Sequence, residues 1–506
     1  MITGIIAHLA FVISVGFVRY YLDEPFISFT KRIGTKLVNG SYGLRRDFGS
    51  LIVNSINFIE PTKPLKTSLF IEEWNGQGAR YNAIYKKLKY DFDTGFPLSS
   101  SLTTFYPYDV TKEINVHTSD ELIIAINRSQ PGDVITLAPG IYRLSGRNIP
   151  IIKPGTIDAP IVVRSKKLGA ATLELSMLEG FHVKAPYWVF ENLVIIGTCK
   201  DDSYCEHAFH VVENGHSFTL RNSIIRDFNA HVKVNGVDDK YPDNGLIENT
   251  TFYNTRPRIT TNPVNVLNIN SVDNWRVNSN IIADFLKSKG DKISYAAYMK
   301  GNSNNGIFER NLVICEMNLN SDSNTQVGLS FGGGGTAPEF CRDRSCQTEH
   351  TNGIIRNNII LNCPTDVGIY LNKSANTHIY NNSIINSLGI DIRFEESTAT
   401  IVNNIISGRI KHRDGGFSIQ KNNLIDIDCA QLGYPKPLNC SFLDWFTSPI
   451  NDLNFTLIES SNIIRKGVRI EELKKDFCGN SVNPLMVDIG PIQYSNGIAC
   501  LPNNIQ

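Results

Sequence analysis

The chain has 506 residues, more than one compact core usually organises, although a solenoid escapes that limit because each unit packs only on its neighbours. Lys plus Arg and Asp plus Glu balance at 49 each, so no global field draws the protein to nucleic acid or to an anionic membrane. A polyanionic partner therefore needs a local basic groove.

The N-terminal stretch ITGIIAHLAFVISVGFV is at the lower limit for spanning a bilayer and lacks the basic start of a cleaved signal peptide. It reads as a signal anchor or a membrane-helix remnant over residues 2–18, within a membrane-helix-like leader at 1–40. Arg19, Lys31, Arg32, Lys36, Arg45 and Arg46 follow it, which by charge alone would leave that side cytoplasmic. Cysteine usage argues the opposite. Of ten cysteines, eight fall into short-range couples, Cys199 with Cys205, Cys341 with Cys346, Cys429 with Cys440 and Cys478 with Cys500, as expected of disulfides formed in an oxidising compartment. Cys315 and Cys363 occupy equivalent repeat positions and read as small stacked core residues. The expected location is the cell envelope or outside the cell, with anchoring through the N-terminal helix.

Residues 41–112 lack sustained periodicity and read as a linker or irregular cap. Beyond them the pattern changes: FENLVII, TLRNSII, LIENTTF, RVNSNII, FERNLVI, IIRNNII, IYNNSII, IVNNIIS and QKNNLID recur as short β-branched strands, each with a polar turn. One position from each gives Asn192, Ser223, Thr250, Asn280, Asn311, Asn358, Ser383, Asn404 and Asn423, separated by 31, 27, 30, 31, 47, 25, 21 and 19 residues. Such short units predict an all-β, right-handed parallel β-helix of about ten coils over 113–427, with stacked asparagines as an amide ladder and the adjacent Ile and Val as core. A β-propeller would need longer, four-stranded units. SDELIIAINRS predicts an N-terminal helical cap, and 428–506, where the repeat stops, a C-terminal capping segment. The longest interval holds the insertion GGGGTAPEFCRDRSCQTEH, whose glycines permit close backbone approach.

Counting back from the ladder aligns Lys300 with Asn372 and Arg393. At one inter-strand spacing per coil, Arg393 lies three coils on, ~14 Å from Lys300, a span suited to successive sugars of one chain. His231 and Lys233 in NAHVKVNG, Arg256 and Arg258 in NTRPRIT, and Lys411, His412 and Arg413 extend the row. It forms a candidate groove for an acidic polysaccharide. His350, ending the insertion, is a candidate acid or base should that loop fold back over Lys300. DDSYCE (Asp201, Asp202, Glu206) and VDDKYPD (Asp238, Asp239, Asp243) offer oxygen ligands suited to calcium, and no other cofactor is suggested. HG-like and RIK strings occur in the wrong order for polygalacturonase chemistry, and no carboxylate pair marks a hydrolase. The chain is expected to be monomeric and not to bind nucleic acid.

Several segments carry family resemblances. RYYLDEPFISFTKR, within residues 1–35, resembles the end of the last membrane helix of the acyltransferase 3 family. The run from INVHTSDELIIAINRSQPGDVITLAPGIYRL through GTIDAPIVVRSKKLGAATLE resembles the first coils of polysaccharide lyase family six, which includes chondroitinase B and alginate lyases, and MVDIGPIQY is similar to the closing segment of many pectate-lyase-like β-helix proteins. PDNGLIEN, MKGN, GLSFGGGGT, DVGIYLN and GIDIRF are similar to segments of uncharacterised bacterial parallel β-helix repeat proteins. In family six the base is a Lys on a strand ending in a Lys-Ser-x-Asn turn, assisted by an Arg one coil later. YMKGNSNNGIFERN resembles the first motif and puts Lys300 at the base position. The next coil departs, with Ser330, Phe331 and Gly332 where that family has Arg, His and Gly. The resemblance implies lyase chemistry by β-elimination with Lys300 as base; the counted column and the insertion add Arg393 and His350 as catalytic candidates, and Lys233, His231, Arg256, Arg258, Asn372 and Arg413 as residues holding substrate. The other reading is a non-catalytic glycan-binding surface protein.

Overall fold

The computed structural model describes residues 110–319, 324–333, 335–427, 441–449, 453–496 and Cys500. Their strands stack into three parallel sheets of 12, 11 and 10 strands, and successive strands of the chain visit the three in turn. This is a right-handed parallel β-helix. The first sheet begins at Lys112–Val116, the second at Gly140–Gly146 and the third at Ile149–Ile151.

The strands form because their β-branched residues stack on copies of themselves one coil away. In the second sheet Ile225, Phe252, Ile282, Val313, Ile360, Ile384 and Ile406 point inward, all 0% exposed. Each contributes roughly 1.5–3 kcal/mol by leaving water.

The corner between the first and second sheets needs a left-handed residue, which asparagine tolerates better than most. Asn192, Asn222, Asn249, Asn357, Asn381, Asn403 and Asn422 occupy it, with φ between 47° and 57°. The amide ladder runs one residue later. From Asn280 through Asn311, Asn358, Asn382 and Asn404 to Asn423, each Nδ2 donates to the next Oδ1 at 2.9–3.0 Å. Two of the nine ladder positions expected from sequence are thus corrected by one residue. Asn382 rather than Ser383 carries the amide, and Leu193 rather than Asn192 stands in the column, its N–H donating to Ser223 Oγ at 3.2 Å. Adjacent asparagines made the register ambiguous, and the left-handed turn decides it.

Helix α1, Ser119–Arg128, covers the first coil with Leu122, Ala125 and Ile126, and Thr118 caps its N-terminus by accepting from Glu121 N–H. At the other end, residues 441–496 lie along the outer surface of the second sheet. Phe442, Phe446, Phe455, Phe477 and Ile489 cluster there with Ile359, Leu361, Ile385 and Ile405. The same segment supplies carbonyls to the corner asparagines, as Asn381 Nδ2 donates to Asp488 O and Gly490 O and Asn403 Nδ2 to Val468 O.

Three expected disulfides are present, Cys199–Cys205, Cys341–Cys346 and Cys478–Cys500. Cys315 and Cys363 are also bonded to each other, a correction of their reading as stacked core thiols, because equivalent positions on adjacent coils bring their Cα atoms to 5.0 Å. Among the described residues no cysteine is free. Such bonds persist in an oxidising compartment, outside the cell or in its envelope. Cys429, Cys440, the leader at 1–40 with its proposed anchor and acyltransferase-like stretch, and nearly all of the 41–112 linker lie outside the described residues. Among those described, no helix is long and apolar enough to cross a membrane.

Candidate functional site

The outward surface of the third sheet carries most of the unusual chemistry. Parallel register sets two outward columns along it. One runs His182, His210, Lys233, Asn268, Tyr298, Ser330, Tyr370, Asp391, Lys411. The other pairs Asn270 with Lys300, and Asn372 with Arg393 and Arg413. Because Met299 pairs with Phe331 and Phe331 with Leu371, Gly332 falls between Lys300 and Asn372. Arg393 is therefore three ladder steps from Lys300, ~14 Å along the axis.

Lys233 and Lys300 stand two coils apart, one in each column, with Asn268 and Asn270 on the coil between them. Lys233 Nζ donates to Asn268 Oδ1 at 2.9 Å, and Asn268 Oδ1 also accepts from Asn270 Nδ2 at 2.5 Å. Burial, reinforced by the positive charge of Lys300, brings the Lys233 ammonium down to about 7. Lys300 is also pulled below its usual range by burial, against the opposing charge of Glu349. Its Nζ lies 4.9 Å from the ring centroid of Tyr298, and the Tyr298 hydroxyl accepts from Asn265 Nδ2 at 3.2 Å. Burial raises the Tyr298 phenol, which stays protonated at neutral pH. Glu206 is likewise raised, by burial and then by the neighbouring charge of Glu179.

The glycine-rich insertion leaves the sheet beside this pair. Gly332 has φ 72°, and a Cβ there would overlap the Asn372 carbonyl; a Cβ on Gly333 would lie 3.2 Å from Lys300 Cδ. Arg342 ties the insertion to earlier coils, bonding Asp243 at 2.7 and 3.0 Å, contacting Asp273 at 3.2 Å and covering the Tyr241 ring at 4.3 Å. Glu349 accepts from Gly301 N–H at 2.8 Å, fixing the turn that follows Lys300.

Other predicted residues stand elsewhere. His350 does not fold over Lys300: it is 0% exposed, its ring stacked on Phe331 at 4.0 Å and its Nε2 facing Gly306 N–H, because its two-residue strand pairs inside the coil corner. His231 points into the core as well, its Nε2 3.1 Å from Tyr253 O and its ring edge-on to Phe252. Arg258 is buried against Asp202 at 3.1 Å and Asn229 Oδ1 at 3.0 Å, and Arg256 grips the same Asp202 at 2.6 and 2.7 Å. These arginines hold a loop together. Arg413 is paired with Asp391, Arg393 bonds Asp414 at 2.6 Å while stacking on Phe394 at 4.5 Å, and Asn372 Nδ2 donates to Tyr370 Oη at 2.8 Å. Arg393, Asn372 and Arg413 thus share one column, but both arginines already hold carboxylates. Three of the six carboxylates expected to bind calcium are similarly engaged, Asp202 by Arg256 and Arg258, Asp243 by Arg342 and Asp239 by Arg344.

Sequence reasoning missed Glu179, His182 and His210, although the in-register strings EGFHV and HAFHVV carry them. It also missed Asn268 and Tyr298, which look like ordinary strand residues until the coils are stacked.

No protein-family model matches the chain, and no curated protein matches it. Among solved structures the chain is similar to pectate lyase Pel9A, at 14% identity with a TM-score of 0.53, covering 77% of this chain and 98% of that one. It is also similar to an alginate lyase from Paenibacillus sp. str. FPU-7, at 15% identity, TM-score 0.38 and coverage of 62% and 100%. A rhamnogalacturonan lyase matches at 14% identity, TM-score 0.38 and coverage of 63% and 88%. The likeness to Pel9A identifies a pectate-lyase-like parallel β-helix.

Proposed function

We propose that the outer surface of the third sheet binds an acidic polysaccharide and cleaves it by β-elimination. The observation that carries this reading is the Lys233–Lys300 pair, where one amine is brought by burial and a neighbouring cation into the range of a base at neutral pH. Neutral Lys233 removes the proton beside a uronate carboxylate. Lys300, still cationic, holds that carboxylate and stabilises the charge it gains. The glycosidic carbon–oxygen bond then breaks as the double bond forms, and the protonated Tyr298 phenol supplies the leaving oxygen with its proton.

The motif resemblance favours Lys300 as base, whereas burial and hydrogen bonding favour Lys233 for that step and Lys300 for carboxylate binding. Asn372 and Arg393 serve more distant sugars of the same chain. The fold shared with pectate lyase Pel9A is consistent with such a substrate.

A binding-only role has one observation in its favour. In the coil after Lys300 the outward positions are Ser330 and Gly332, and Ser330 Oγ is spent on Gly332 O and Tyr370 O. Incubating the purified chain with pectate, alginate and glycosaminoglycans, and following the ultraviolet absorbance of an unsaturated uronate, separates the two. A product lost in Lys233→Ala supports elimination. Retained polymer binding with no product on any of them leaves the binding role.

A further inference from the structure

We propose that Glu179, His182 and His210 form a binding site for a divalent first-row transition ion such as zinc. The three come from adjacent coils, His182 pairing directly with His210 across the ladder, and their ligand atoms lie within 4.8 Å of one another. Their side chains are 16–18% exposed, so the site is walled yet open to the groove.

The hydrogen bonds around them leave a gap that a cation fills. Asn235 Nδ2 donates to Gly236 O at 3.1 Å, which turns Asn235 Oδ1 toward His210 Nε2 at 2.9 Å. An amide oxygen only accepts, so Nε2 carries the hydrogen and a neutral His210 has a bare Nδ1. That lone pair is aimed at Glu179 Oε1, 2.9 Å away. On the neighbouring coil, Asn148 Nδ2 lies 3.0 Å from His182 Nδ1 and 3.4 Å from Glu179 Oε2, so the amide donates into that edge and His182 Nδ1 also faces the carboxylate as an acceptor, at 3.3 Å. Two nitrogen lone pairs thus converge on one carboxylate. A proton on His210 Nδ1 alone would satisfy its contact with Glu179 but leave His182 outside that interaction, and protonating both rings would set two like charges in rings stacked 5.0 Å apart.

A single ion accepting from both Nδ1 atoms and one carboxylate oxygen would engage all three groups at once. Neighbouring ligands of a tetrahedral zinc stand about 3.4 Å apart; the 2.9 Å contact to Glu179 Oε1 and the 3.3 Å contact to Oε2 lie near that span, and the three ligand atoms, all within 4.8 Å of one another, need a modest adjustment to meet at one ion. Asn235 on His210 Nε2 is the outer partner that orients a metal-binding histidine. Two imidazoles and a carboxylate favour zinc or its transition-metal neighbours over calcium or magnesium. His210 pairs directly with Lys233 in the ladder, so the ion's open position faces the same groove one coil away. The ion itself does not depend on the lyase reading.

Calorimetric titration of the chelator-treated full chain with zinc chloride tests the site. One equivalent should bind, at least ten-fold more weakly in Glu179→Gln and in His182→Ala. No saturable binding, or equal binding in both variants, overturns the proposal. Should a variant fail to fold, cobalt(II) added to the wild-type chain decides: visible absorption of a low-symmetry nitrogen-ligated ion, displaced by one equivalent of zinc, is expected, and its absence overturns the proposal.

Discussion

Lys233 and Asn268 are partners across one ladder step, joined by a hydrogen bond of 2.9 Å from Nζ to Oδ1. The bond pins an amine that a free lysine would swing through solvent, and it does so where burial and Lys300 weaken the proton's hold.

A lyase that uses Lys233 as base should show kcat rising with pH through about 7, as the ammonium loses its proton. Lys233→Ala should lower kcat by ~10²–10⁴-fold. The sharper test is Lys300→Met. Its positive charge depresses the Lys233 value, so removing it should raise that value and move the ascending limb to higher pH, with KM increased. An unshifted pH profile in Lys300→Met would detach the two lysines.

The ladder should carry stability rather than activity. Asn358 accepts from Asn311 N and Nδ2 and donates to Phe308 O and Asn382 Oδ1, all at 2.9–3.0 Å in a dry interior. Asn358→Ala leaves several buried groups without partners, at about 1–3 kcal/mol for each one unsatisfied. A fall in Tm of several degrees with unchanged KM is expected, measured by thermal denaturation.

Much of this solenoid was legible because its physics repeats: inward Ile and Val every coil and a left-handed residue, most often asparagine, at the corner. The column logic also carried over, since Asn372, Arg393 and Arg413 do share a register and Lys300 does stand three coils before Arg393. What could not be read was the direction of individual side chains. His231 and Lys233 are two residues apart on one strand, yet the first is fully buried against Phe252 and the second only partly so, facing the groove. His350 and Arg258 failed for a related reason, because burial depends on what the insertion and the loops pack against, which no strand period reports. The pairing of Arg342 with Asp243 spans 99 residues and has no local signal.

Arg342 should govern the insertion. Its ion pairs with Asp243 and Asp273 are partly exposed, so Arg342→Ala should cost only ~1–2 kcal/mol of global stability. Its local effect should be larger, because that guanidinium fastens the loop beside Lys300. Limited proteolysis should cut Arg342→Ala within residues 335–349 faster than wild type, with KM raised if the loop borders the substrate. Equal cleavage would mean that the Cys341–Cys346 bond and the Ser271–Phe340 contact suffice.

The buried histidines predict acid sensitivity with a definite sign. Burial lowers His350 to about 3, and its Nε2 accepts from Gly306 N–H, so the folded chain holds the ring neutral. In the unfolded chain the same ring protonates near its usual 6.5. The folded value lies below the unfolded one, so His350 favours the fold fully above pH 6.5, and that advantage erodes as pH falls toward the folded value. The loss approaches ~1.4 kcal/mol per pH unit for each such ring. His231, lowered by burial to about 4, acts in the same direction. Replacing His350 by Phe keeps an aromatic ring against Phe331 and removes the titration, so the slope of unfolding free energy between pH 6 and 4 should become shallower by up to that amount. Urea denaturation at several pH values measures it, and an unchanged slope would show that His350 is not the ring whose protonation opposes folding.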